Sequence, residues 1–257
     1  MSLTSLVLKF AAPIPDIEKY ERFLFIGPHP DDIEIGAGAT AAKLAAAAKN
    51  IRFVICTDGR YGDGFVGKDI SAEELISLRR HEAVNSAKAL GVDDVRFLEL
   101  SDGGIYEKEQ LVKALAAEIG DFKPDVVFAP DPSVKSECHA DHLNVGEAAR
   151  QASYFAPYKG IMERYGADTA PVKALAFYMT AKPNRFIKTG KYLEKQINAI
   201  FKCHKSQFPD DSTEAKSIEL YLRLRSIDMG LRRFSLKAEG FRVLGQTHMH
   251  CLPEADK

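Results

Sequence analysis

The chain has almost no net charge, few cysteines and no long apolar run, and each shortfall removes a class of function. No stretch approaches the ~20 consecutive apolar residues that a membrane span needs. The opening segment, Met1 to Pro15, lacks a basic region ahead of its short apolar stretch, so no signal peptide is expected. Lys plus Arg number 35 against 36 Asp plus Glu, giving a net charge of −1. That balance offers no electrostatic ground for nucleic acid or an anionic membrane as a partner. Arg223, Arg225, Arg232 and Arg233 make a local basic group, which reads as the wet face of a helix. The cysteines stand at 56, 138, 203 and 251 with no CxxC spacing. They read as reduced, buried thiols, and the expected compartment is the cytoplasm.

What is present is a βαβ pattern. Over the first 150 residues short apolar runs alternate with helix-like stretches, the signature of a parallel sheet with helices on both faces. Strands are expected at 22–27, 51–57, 95–100 and 125–129, with helices at 36–49, 71–90, 105–119 and 141–153. Ser71 and Glu74 form a capping box, and Gly91 suits a left-handed stop. Beyond residue 160 the pattern changes: a strand at 172–179, helices at 191–206 and 212–234, and a last strand at 239–244. No linker-like tract intervenes. The expectation is one α/β domain over 1–257, with a Rossmann-like core at 1–160, strand order 3-2-1-4-5, and a C-terminal elaboration at 161–257.

Residues able to do chemistry collect in two loops. Pro28-His-Pro-Asp-Asp-Ile-Glu34 follows the first strand, and His139-Ala-Asp-His142 follows the fourth. Open parallel sheets place their sites beyond the carboxyl ends of the strands, where the strand order reverses. In the order 3-2-1-4-5 that point lies between strands one and four, so the loops should face each other. His29, Asp32 and His142 then supply two imidazoles and a carboxylate, a three-ligand set with an open position that suits a catalytic cation. Zinc is the first choice for hydrolysis, although Fe²⁺ or another divalent metal suits the same ligands. Asp31 reads as a general base and His139 as a donor to an oxyanion, with Asp141 orienting His139. Glu34 reads as a loop fastener. His81, His204, His248 and His250 read as ordinary surface or core residues.

The paired motifs resemble the PIG-L/LmbE family, whose hallmarks are an (A/P)HPDD(A/E)E loop and a downstream HxDH. The resemblance spans roughly residues 21 to 245. Thr57-Asp-Gly59, Arg79-Arg-His-Glu82 and Ser101-Asp-Gly103 are similar to further family positions. His204-Lys-Ser-Gln207 and Ala238-Glu-Gly-Phe241 are similar to one deacetylase branch. The resemblance implies a zinc-dependent N-deacetylase acting on N-acetylglucosamine conjugates, with Arg79 and Asp102 near the substrate. The competing reading of that last pair is a buried salt bridge. It also implies a homo-oligomer, a trimer or hexamer. Two departures stand out: Ala39 replaces a customary glycine, and Cys138 replaces the glycine before the second motif. The rival functions are a two-metal phosphoesterase and a non-catalytic sugar-binding or regulatory protein. Aglycone recognition is expected in loops 61–68 and 131–137 and in the C-terminal third.

Overall fold

Alternation along each strand decides which helices cover which face of the sheet. A computed structural model describes residues 7, 8, 10–66, 70–250 and 252. Strand β1 (Arg22–Gly27) turns Phe23 and Phe25 one way and Leu24 and Ile26 the other, as the two-residue period of a strand requires. Strand β2 (Asn50–Thr57) does the same with Phe53 and Ile55 against Val54 and Cys56. The phenylalanine face packs under α1 (Asp32–Ala46) and α2 (Ala72–Leu90). The opposite face packs under α3 (Lys108–Phe122) and α4 (Ala140–Phe155). Both faces are therefore dry, which is why these strands read as continuous apolar runs.

Among the described residues the sheet has seven strands in the order β3-β2-β1-β4-β5-β7-β6, where β3 is Asp94–Leu100, β4 Val126–Pro130, β5 Ala174–Tyr178, β6 Arg185–Lys188 and β7 Ala238–Gly245. The first five positions run parallel in the expected 3-2-1-4-5 order, and β7 then pairs antiparallel with both β5 and β6. Helices α5 (Lys159–Tyr165), α6 (Tyr192–Cys203) and α7 (Thr213–Leu231) follow in the C-terminal part. The Ser71–Glu74 capping box forms, and Gly91 takes the left-handed conformation at φ 90°.

Two expectations need correction here. Helix α1 begins at Asp32, four residues before the sequence pattern placed it. The acidic run is its first turn, where carboxylates favour the positive end of the helix dipole. The three described cysteines are free, but not uniformly buried: Cys56 is buried, Cys203 is partly exposed and Cys138 is exposed, standing in the loop before α4. Cys251 lies outside the described residues, as do Gly67 and Lys68 of the first proposed recognition loop.

Candidate active site

Strand β1 ends in a turn that lifts Pro28 to Asp31 above the sheet. Thr57, at the end of neighbouring β2, fixes that turn by donating both its amide and its hydroxyl to the Pro28 carbonyl, at 2.9 and 2.8 Å. At the top, Asp31 adopts φ 135° and ψ −26°. A non-glycine residue held there costs on the order of 1–3 kcal/mol, and such strain persists only where the surroundings impose it. Part of that restraint is Arg79 on α2. Its guanidinium donates to Asp31 (3.3 Å), to the Pro30 carbonyl (3.2 Å) and to the Gly59 carbonyl (3.0 Å). A Cβ on Gly62 would lie 2.2 Å from the Arg79 Nη1 atom, so a side chain there would displace the guanidinium from its present place.

The second motif opens α4, with His139 as its N-cap; the His139 Nδ1 atom accepts from the Asp141 amide at 3.3 Å. Because β1 and β4 are neighbours, the two turns meet. His29 Nδ1 lies 3.0 Å from Asp32 Oδ2, and His142 Nε2 lies 3.3 Å from the same oxygen. The outer nitrogen of each ring is held by a further acid. His29 Nε2 is 3.0 Å from Asp141 Oδ2, and His142 Nδ1 is 3.0 Å from Glu137 Oε2. Asp141 is itself locked by the Gly103 and Gly104 amides, at 2.7 and 2.8 Å.

This geometry changes one relation expected from sequence. The Asp141 carboxylate engages His29 rather than His139, whose Nδ1 stands 3.7 Å from it. What bonds to His139 Nδ1 is the Asp141 backbone amide, so that nitrogen is an acceptor and the neutral ring carries its proton on Nε2. Arg79 and Asp102 do not form the alternative salt bridge, because Arg79 pairs with Asp31. Asp102 accepts from the Tyr61 amide and keeps its other oxygen without a partner among the described residues.

Electrostatically the cluster is a trap for positive charge. Burial works against protonation of His29, yet hydrogen bonds to Asp141 and Asp32 push it up to about 10. His142 behaves alike, burial opposed by Asp32, and rises to about 9. Burial would raise Asp32, but the charges of His142 and His29 hold it well below the usual carboxylate range. Burial dominates at Asp31 and lifts it to about 6 despite Arg79. His139 is lowered by burial and by the two neighbouring rings.

The donor atoms of His29, Asp32 and His142 lie within 4.8 Å of one another, as do those of His29, His139 and Asp141. The first set fits a divalent cation better. Its inward atoms converge on one oxygen of Asp32, and each imidazole has its other nitrogen anchored by a carboxylate, the arrangement that fixes metal-binding histidines. In the second set Asp141 is already engaged by two amides and His29.

Beside the cluster lies a cavity of about 250 Å³ lined by His29, Asp31, Tyr61, Gly62, Arg79, Asp102, Gly103, His139 and Gln207. This is near the lower end of the ~300–1,000 Å³ range for small-molecule sites. A neighbouring groove of about 290 Å³, behind Pro30, Arg60 and Arg80, contains none of His29, Asp32 and His142. Of the expected recognition loops, Tyr61 faces the cavity. Asp131 instead is buried in a two-bond ion pair with Arg242, and Glu137 is used on His142. Sequence reasoning missed Gln207 and Glu137 as site residues. Gln207 stood within a quoted motif, and Glu137 is an acid five residues before His142, a signal that could have been followed. His204 is fully buried against Glu34 at 3.4 Å, in keeping with its reading as a core residue and with Glu34 as a fastener.

Residues 24–153 match the family model described as PIG-L: GlcNAc-PI de-N-acetylase. The diacetylchitobiose deacetylase of Thermococcus kodakarensis is 32% identical over 258 residues, covering 98% of this chain and 93% of that protein. The chain belongs to the PIG-L family. A further PIG-L relative, the 1D-myo-inositol 2-acetamido-2-deoxy-alpha-D-glucopyranoside deacetylase 2 of Catenulispora acidiphila, is 26% identical, with 84% and 80% of the two chains covered. Among solved structures, the N,N'-diacetylchitobiose deacetylase of Pyrococcus horikoshii in complex with its inhibitor MPG superposes with a TM-score of 0.85. It is 29% identical, with 100% of this chain and 98% of that one covered. The resemblance to PIG-L proteins read from the two motifs is thus matched by sequence and by fold.

Proposed function

We propose that this PIG-L family chain removes the acetyl group from the nitrogen of a glucosamine-type sugar, at a divalent cation held by His29, Asp32 and His142. The supporting observation is the convergence of His29 and His142 on one oxygen of Asp32, each with its outer nitrogen braced by an acid. Zinc is the preferred ion. When bound, such an ion supplies Lewis-acid polarisation and makes water more acidic.

The chain's own residues divide the remaining work. Asp31, lifted toward neutrality by burial, takes the proton of the attacking water as the C–O bond forms, then passes it to the amine as the carbonyl re-forms and the amide C–N bond breaks. His139 donates from Nε2 to the developing oxyanion. Asp141 holds His29, and Glu137 holds His142. Arg79 keeps Asp31 in its strained conformation. Asp102 faces the cavity with an unused oxygen and accepts from a sugar hydroxyl.

The substrate class follows from the relatives, which are named as deacetylases of diacetylchitobiose and of an acetamido-glucopyranoside. A cavity of about 250 Å³ is suited to one sugar ring, leaving an aglycone outside. The domain reading stays as one α/β unit over 1–257, since β5 and β7 carry the sheet on into the C-terminal third. Free thiols at 56, 138 and 203 favour a reducing compartment, the cytoplasm. No helix of the described residues is long and apolar enough to cross a membrane. A primary-amine release assay with N-acetylglucosamine and N,N'-diacetylchitobiose tests the activity. Amine should appear, stop on adding a chelator and return with zinc; release that survives complete metal removal would refute the cation's role.

A further inference from the structure

The helix that carries Asp32 in its first turn is gripped further along by side chains from the C-terminal third. Gln196, on α6, donates from Nε2 to the carbonyl of Glu34 at 2.8 Å and to that of Ile35 at 3.3 Å. Glu239, on β7, accepts with both carboxylate oxygens, from the amide of Ala39 at 3.1 Å and from that of Thr40 at 2.7 Å.

Ala39 and Thr40 are the eighth and ninth residues of α1, well past the first turn, where helix amides lack partners. Their partners in the helix ladder are the carbonyls of Ile35 and Gly36. The Ile35 carbonyl and the Ala39 amide are thus the two ends of one rung, and an outside side chain reaches each end. An amide has a single hydrogen, so an oxygen 2.7 Å from the Thr40 nitrogen competes directly with the ladder. Side chains entering a ladder in this way set the local direction of the helix axis. The same stretch is pressed onto the sheet: a Cβ on Gly36 would lie 2.2 Å from the Tyr178 ring, and the Tyr178 hydroxyl donates to the Ile26 carbonyl of β1 at 2.8 Å. The second turn of α1 is therefore fixed from two sides, while its first turn bears Asp32 and follows the strained Asp31.

We propose that Glu239 is a positioning residue for the cation site, fixing with Gln196 the axis of α1 and through it the placement of Asp31 and Asp32. The proposal rests on the reading of His29, Asp32 and His142 as cation ligands. The hydrogen bonds that Ala39 and Thr40 donate to Glu239, and that Gln196 donates to the Glu34 and Ile35 carbonyls, carry it. A residue serving stability alone would leave the geometry of the bound cation untouched.

The test uses Co²⁺ as a probe, titrated into the metal-stripped full chain and followed by its ligand-field absorption. Wild type should show the absorption of a protein-held ion near one equivalent. Its absence would remove the cation reading and this proposal with it. Glu239→Gln keeps the size but sets a donor against the two amides. In the folded variant, Co²⁺ affinity should fall about tenfold with an altered absorption spectrum, and kcat about tenfold with KM within about twofold, the scale of effect known for residues that orient metal ligands. Hydrogen exchange at the Ala39 and Thr40 amides should quicken. Unchanged affinity, spectrum and kcat in folded Glu239→Gln overturn the proposal, whatever the melting temperature does. If that variant does not fold, Gln196→Met decides in its place. It should shift the Co²⁺ spectrum and weaken affinity in the same direction, and wild-type values would overturn the proposal.

Discussion

Asp31 sits where two demands meet, a backbone at φ 135° and a carboxyl lifted to about 6. Replacing it with asparagine keeps the shape and the hydrogen bond to Arg79 while removing the capacity to take a proton. Asp31→Asn should lose ~10²-fold or more in kcat and retain its metal, measured by amine release beside metal analysis. Full activity in that variant would reassign the base. Glu137 acts one bond further out, through the outer nitrogen of His142. Glu137→Gln should weaken metal affinity by roughly 10–100-fold with a much smaller change in melting temperature, because it alters the orientation and basicity of a ligand without emptying the core. A competition titration against a chromogenic chelator reads this directly, and equal affinity would show that Glu137 merely caps its own loop.

At the scale of elements, Glu239 links β7 to α1 and gives a pH signature separate from catalysis. Burial pushes its carboxyl from 4.5 up to about 7, although the Thr40 and Ala39 hydrogen bonds draw it down. Folding therefore raises this pKa, so between those values the folded chain holds a proton that the unfolded chain has lost. The contribution of the group to stability falls as pH rises through that window and is level above it, on the order of 3 kcal/mol in all. Denaturant unfolding at pH 5 and pH 8 should show the stability difference between wild type and Glu239→Gln moving in the variant's favour at the higher pH. A pH-independent difference would mean that Glu239 is not held this way.

These elements also mark how far the sequence could be read. The convergence of His29, Asp32 and His142 was legible because their loops follow apolar runs, and strand order alone brings such loops together. The start of α1 was not, since an acidic run reads equally as a loop or as a first turn. Strand β6 was missed because Arg185–Lys188 is four residues with a cation at each end, composition that suits a sheet edge and gives no periodic signal. Helix α5, at seven residues, is too short for the 3.6-residue period to register. The link between Glu239 and α1 spans 200 residues, and no local pattern announces a tertiary bond of that kind.

For the whole molecule, the outer face of α7 is an exposed apolar ridge. Leu220, Leu224, Ile227 and Leu231 recur at helical spacing with 43% to 69% of their surface exposed, and Phe234 beyond the helix end is 100% exposed. The inner face, with Leu222 and Met229, is buried, so the helix is apolar on both sides. A ridge of this kind fits the homo-oligomer, trimer or hexamer, that the PIG-L resemblance implied. Light scattering should give a mass that is a multiple of 28.4 kDa, falling toward that value in Leu224→Glu. A monomeric wild type would assign the ridge to something else.

The placement of β1 and β4 side by side in the interior of a seven-stranded sheet has an evolutionary corollary. Both reactive turns hang from interior strands, and β3 ends in the turn of Asp102, Gly103 and Gly104 that locks Asp141 and lines the cavity, whereas β6 at the far margin contributes none of the lining residues. Changes of length at that margin can thus accumulate while the two reactive turns keep their mutual placement.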